Sequence, residues 1–339
     1  MGKIRFYKKI LIVKPSSLGD IVHSLPFLDA VRSCFPQSEI HWVIARGMEG
    51  ILEGHPMIDR LIIINKDMWK KISKTGRTIK EAGNLLRTLK KENYDLVVDL
   101  QGLLRSGIIT MATGAPFRVG FEEAREGSRV FYNRKVKGGK DIHAVDRYMK
   151  IADYLGCNTE KIIFPFPLMK NDLLQIKEIK RNLKEYIVIV PGARWETKKW
   201  PADKFGELAG RLSVKSVVIG SKADAGLAEK VMEASAGKAV SMAGNTNIRE
   251  LMEIMRDARL VISNDSGPMH IAAGFNIPVV AIFGPTSPLR TGPYGDGHII
   301  IKSDAECSPC FKKRCRDMKC MKEITVDYVH ERIRDSVFI

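Results

Sequence analysis

Short runs of consecutive apolar residues punctuate the chain, and between them apolar positions return every three or four residues. In the first half the runs fall at 10–13, 40–44, 61–64 and 96–100; in the second at 186–190, 216–220, 260–263 and 279–283. Apolar residues on both sides of a strand mean burial on both faces, the mark of a parallel sheet. The intervening stretches carry helical spacing, as in Ile21, Leu25, Leu28 and Val31 after the first run. Strands alternating with helices in this way make right-handed crossovers and doubly wound sheets. Two prolines in the stretch "FPFPLMKND" at 164–172 break the pattern near the middle. The expectation is an α/β protein of two Rossmann-like domains facing a central cleft, 1–165 and 166–324, followed by a short closing helix within 325–339. Ligands belong at the carboxyl ends of such strands.

Composition narrows the function. The 339 residues carry 55 Lys and Arg against 39 Asp and Glu, a formal charge of +16, and both halves are basic. Anionic partners are therefore expected: nucleic acid, phosphates or an acidic membrane surface. Aromatics are only 7% and no nucleic-acid motif is present, so nucleic acid ranks last. The first apolar run is too short for a signal peptide, and no run approaches the roughly 18 residues of a spanning helix. A cytosolic protein is expected. Four of the six cysteines cluster as Cys307-x2-Cys310-x4-Cys315-x4-Cys320. Four thiols could form a structural zinc site by ligand count, although the spacing is looser than that of paired knuckles; reduced thiols in a local loop are the favoured reading.

Three strand ends carry unusual chemistry. "KPSSLGD" at 14–20 joins the first strand to its helix with one glycine, two serines, a lysine and an acid where a dinucleotide fold would place a glycine cradle. Ser17 or Asp20 could simply cap the helix; alternatively Lys14, Ser16, Ser17 and the helix start hold an anion beside Asp20 as a base. "PGARWETKKW" at 191–200 offers a tight turn at Gly192 and two lysines, Lys198 and Lys199, which read either as a solvated loop or as a diphosphate contact. "NDSGPMHIAAG" at 264–274 opens a helix with Pro268 in its first turn, so that the amides of Ser266 and Gly267 are free for a phosphate and His270 lies one turn on.

Together with "FGPTSP" at 283–288, these stretches resemble glycosyltransferase family 9, the ADP-heptose:lipopolysaccharide heptosyltransferases, over essentially the whole chain. The first half, in "IHWVIARG", "YDLVVDLQGLLRSG" and "IHAVDRY", is most similar to the heptosyltransferase I branch. The resemblance implies a GT-B fold, the acceptor on the first domain, the nucleotide sugar on the second, and a final helix packing back on the first. It makes Asp20 the catalytic base and Lys198 the diphosphate lysine. Asp224, Thr246, Asp265, Ser266, Gly267 and His270 become donor contacts, and Lys14, Ser17 and Arg125 fall to the acceptor. The partners implied are ADP-heptose, Kdo-lipid A and the anionic inner leaflet of the inner membrane, where the enzyme would sit peripherally on the cytoplasmic face. Heptosyltransferase II or another transferase of this family is the alternative.

The chemistry so implied is inverting transfer. No D-x-D sequence occurs, so a bridging divalent metal has no obvious ligands, and Lys198 with the helix start at 266–270 is expected to stabilise the leaving diphosphate. No cofactor is expected. The basic segment 66–91, nine Lys and Arg against two acids, offers Lys70 and Lys71 beside Trp69 as a clamp for the acidic acceptor, unless it is only a solvated helix face.

Overall fold

The computed structural model describes residues 6–65, 76–167, 181 and 183–336. The chain divides into two compact units, residues 1–168 and 169–339. The first holds β1 (Lys9–Val13), α1 (Leu18–His23), α2 (Leu25–Cys34), β2 (Glu39–Ala45), β3 (Arg60–Ile64), α3 (Gly76–Lys91), β4 (Leu96–Asp99), α4 (Leu104–Ala112), β5 (Phe117–Phe121), β6 (Arg134–Val136) and α5 (Ala144–Tyr154). Its six strands are all parallel and lie in the order β3-β2-β1-β4-β5-β6. Leu11, Val13, Val43 and Val97 pack on one face against Leu89 of α3 and Ile109 of α4. Burial on both faces explains why the central strands read as unbroken apolar runs.

The second unit repeats the plan. Its strands are β7 (Tyr186–Val190), β8 (Lys215–Val218), β9 (Ala239–Ser241), β10 (Leu260–Asn264), β11 (Val279–Phe283) and β12 (Ile299–Lys302). Their order is β12-β11-β10-β7-β8-β9, again all parallel. The helices are α6 (Ala202–Arg211), α7 (Ala225–Ala234), α8 (Ile248–Arg256), α9 (Gly267–Gly274), the short α10 (Pro288–Thr291) and α11 (Lys319–Lys322), and α12 (Val326–Arg334). Counted within its own unit, each sheet runs 3-2-1-4-5-6. The chain leaves the middle of such a sheet in both directions, and a crevice opens at the carboxyl ends of its two central strands. Those strands are β1 and β4 in the first unit, β7 and β10 in the second.

Helix α12 buries Val326, Val329 and Ile333 among the residues of the second unit's core, against α6. The three sit at i, i+3 and i+7, one apolar stripe. The helix expected to return to the first domain thus contributes a packed face to the second.

Candidate active site

In the first unit, Lys14 leaves the end of β1 fully buried. Trp42 Nε1 donates to the Lys14 carbonyl at 3.1 Å and so holds the backbone there. The Lys14 ammonium lies 3.8 Å from Asp20 Oδ1, donates to the Leu100 carbonyl at 3.4 Å, and sits 5.1 Å from the centre of the Tyr148 ring. Burial works against this charge, but Asp20, Tyr148 and Asp99 outweigh it and hold the lysine above its ordinary pKa. Asp20 stands at the third position of α1. Its Oδ2 accepts from the Ser17 amide (2.9 Å) and Ser17 Oγ (2.7 Å), a helix cap, which leaves Oδ1 on the lysine side. Asp20 thus caps its helix through one oxygen and presents the other to a buried cation.

The neighbouring strand end completes this crevice. Asp99, at the end of β4, accepts from the amides of Gln101 and Gly102 and from Tyr132 Oη at 2.7 Å. Burial pushes its carboxyl upward in spite of these donors. The loop so held returns Gln101 Oε1 to the Ser16 amide at 3.3 Å, tying it to the Asp20 turn. Arg125 is exposed, and its amide donates to the Gly102 carbonyl. Lys70 and Lys71, the other acceptor candidates, lie outside the described residues.

In the second unit a cavity of about 510 Å³ opens at the ends of β7, β8 and β10. At one side Asp224 accepts from the Ser221 amide (2.9 Å) and Ser221 Oγ (2.6 Å). A Cβ at Gly192 would lie 2.7 Å from its carboxyl group, so only glycine lets the β7 turn pass this acid. At the other side are Ser266, Gly267 and Pro268, the start of α9, where the amides of Ser266 and Gly267 are unpaired by the helix itself. Thr246 lines the same space, and its buried Oγ1 has no hydrogen-bond partner among the described residues. An orphaned hydroxyl on a cavity wall suits a ligand that supplies the missing bond.

The two lysines sit in different surroundings. Lys199 lines the cavity with Arg194, which the sequence did not single out, whereas Lys198 makes a 2.6 Å ion pair with Asp265 Oδ2 and stacks 4.7 Å from the Trp195 ring centre. Asp265 is buried and also accepts from Thr286 Oγ1 at 2.6 Å, so its carboxylate holds Lys198 in place. His270 is buried within α9 and is not among the residues that line the cavity.

The four clustered cysteines line a separate cavity of about 120 Å³ with Thr197. Cys307 and Cys315 are exposed, Cys320 is buried, and among the described residues no three metal-binding side chains are arranged as a ligand set. Their loop instead braces the lysine turn: Thr197 Oγ1 donates to the Lys312 carbonyl, and Lys313 lies on the Trp195 ring beside Lys198.

Comparison with known proteins gives these crevices a context. Residues 82–321 match the model of glycosyltransferase family 9 (heptosyltransferase). Lipopolysaccharide heptosyltransferase 1 of Pseudomonas aeruginosa is 32% identical over 324 residues, 91% of this chain and 87% of that protein. The crystal structure of a family 9 glycosyl transferase from Veillonella parvula superposes with a TM-score of 0.82 at 25% identity, covering 97% of both chains. Escherichia coli heptosyltransferase WaaC with ADP-2-deoxy-2-fluoro heptose does so at 0.76 and 25%, covering 96% of this chain and 99% of that one. With its two doubly wound sheets of the GT-B type, the chain belongs to glycosyltransferase family 9, the heptosyltransferases.

Proposed function

We propose that the enzyme transfers L-glycero-D-manno-heptose from ADP-heptose to a Kdo residue of Kdo-lipid A, with inversion and without a divalent metal. It works peripherally on the cytoplasmic face of the inner membrane. The observation that carries the donor half is the 510 Å³ cavity, lined by an acid, a helix start and two cations. Asp224 suits ribose hydroxyls, and Arg194, Lys199 and the α9 amides suit a diphosphate. The kinship with a heptosyltransferase 1 supports the acceptor.

In this reading the acceptor hydroxyl approaches the Asp20 turn. Asp20 Oδ1 takes its proton as the oxygen bonds to the anomeric carbon, and the anomeric bond to ADP breaks on the opposite face. The buried Lys14 ammonium keeps Asp20 ionised until that proton arrives. Negative charge grows on the departing diphosphate, where Lys198, Arg194, Lys199 and the α9 N-terminus stabilise it.

The test is mass spectrometry of Kdo-lipid A after incubation with enzyme and ADP-heptose, with and without EDTA. The expected result is addition of one heptose in both samples. Loss of product in EDTA that magnesium or manganese restores would overturn the metal-free step, and no product in either would overturn the acceptor.

A further inference from the structure

Helix α4 starts beside the Asp20 crevice and has an outward face that does not read like a solvent face. Taking 100° per residue, Leu104, Ile108 and Met111 fall within one stripe some 60° wide. Leu104 is 44% and Met111 51% exposed, and Ile108 is half-buried. Beside the stripe lies the turn Ser128–Phe131. Gly107 packs so close to this turn that a Cβ there would lie 2.3 Å from the Phe131 ring. On the turn, Val130 is 72% exposed, the most exposed of the large apolar side chains described.

The charge around this apolar edge is positive. Arg105 on α4 and Arg125 and Arg129 on the turn side are all exposed. The acid among them, Glu126, is engaged at the helix start, accepting from the Leu104 amide at 3.1 Å. Exposed apolar side chains set among arginines match a surface with an acyl interior and anionic headgroups, better than a neutral protein face. No helix among the described residues is long and apolar enough to cross a membrane, so any attachment through them lies in the interface.

We infer that the α4 stripe and the Ser128–Phe131 turn form the surface that docks on an anionic lipid bilayer, with Leu104 and Val130 entering the headgroup layer and Arg105 and Arg129 meeting lipid phosphates. The inference rests on reading the acceptor as lipid-anchored. The loop Asp99–Gly102 that leads into α4 is bonded to the Asp20 turn, so docking here delivers a headgroup sugar to the base without lifting the lipid from the bilayer.

The experiment is co-sedimentation of the full chain with vesicles of phosphatidylcholine, alone or mixed with phosphatidylglycerol, at low and physiological salt. Wild type binds the mixed vesicles, less at higher salt, and leaves the neutral ones. The Leu104→Glu, Val130→Glu double variant loses about ten-fold or more in partition, since two apolar anchors are replaced by charges that the surface repels. Its thermal melt and its turnover on a lipid-free Kdo acceptor stay those of wild type. Should the double variant melt early, Leu104→Ser with Val130→Ser carries the same comparison. Wild-type partition by a folded double variant, or no binding of wild type to the anionic vesicles, overturns the surface. Failure of wild type on the lipid-free acceptor overturns the proposed reaction instead and leaves the vesicle result standing.

Discussion

Lys198 and Asp265 are 67 positions apart and 2.6 Å apart in space, a pairing that no local pattern could announce. Asp20 and Ser266 stood out because each lies in a turn where an apolar run hands the chain to a helix, whereas Asp224 was singled out only through the family resemblance. The partners that hold them were not. Asp99 fixes the neighbouring loop through amides and the Tyr132 hydroxyl, and Lys14 is buried although a lysine in a turn normally reads as solvent-facing. The Lys198–Asp265 pair supports a direct test. Lys198→Ala should lower kcat/KM by about 10²-fold or more, as the loss of a charge aimed at the leaving group does. It should also cost about 1–3 kcal/mol of stability, because the buried Asp265 is left with Thr286 alone. Adding Asp265→Asn should recover part of the stability and none of the rate. Strict additivity in a double-mutant cycle of denaturant melts would contradict the pairing.

At the scale of elements, the eight strands at 10–13, 40–44, 61–64, 96–100, 186–190, 216–220, 260–263 and 279–283 could be read because all are wholly or largely apolar. β5, β6 and β9 could not, and the apolar run of β12 is only the three residues Ile299, Ile300 and Ile301. β6 and β9 are three residues long and lie at the sheet edges, where one side faces outward and polar residues are tolerated. β5 contains Gly120, which leaves room for the Tyr132 ring and breaks the apolar run. The opposite rim of the first sheet, away from the Asp20 turn, is tied by ions. Glu92 bridges Lys9 of β1 at 2.9 Å and Arg60 of β3 at 2.6 Å. The Lys9 hydrogen bond, helped by Arg60 and opposed by burial, holds the Glu92 carboxyl below its ordinary pKa of 4.5. Its stabilising share is therefore full above that value and is lost as pH falls through the lower folded value. Glu92→Gln should lose up to about 1 kcal/mol near neutrality, and the gap to wild type should narrow on acidification below 4.5. Urea melts across this acid range check this; a gap that does not narrow in acid would mean the glutamate acts through packing.

For the whole molecule, a charge of +16 would suit nucleic acid as well as phosphates, and it is the site chemistry and the family match that decide between them. The prolines at 164–172 break the sequence pattern, and the two compact units are residues 1–168 and 169–339. The repetition of one strand order in both units could not be read, since pairing order depends on contacts distant in sequence. That repetition places two crevices of different character on equivalent strand ends: an acid beside a buried lysine in one unit, and a cavity of about 510 Å³ in the other. The proposed division of labour assigns proton removal to the first and donor binding to the second. It is tested most directly by the single-turnover rate of Asp20→Asn at saturating ADP-heptose on Kdo-lipid A, with donor affinity measured alongside. The rate should fall by roughly 10²–10⁴-fold while donor affinity stays that of wild type. A rate near that of wild type, or a loss of donor affinity large enough to explain the fall, would contradict the assignment of Asp20 as the base.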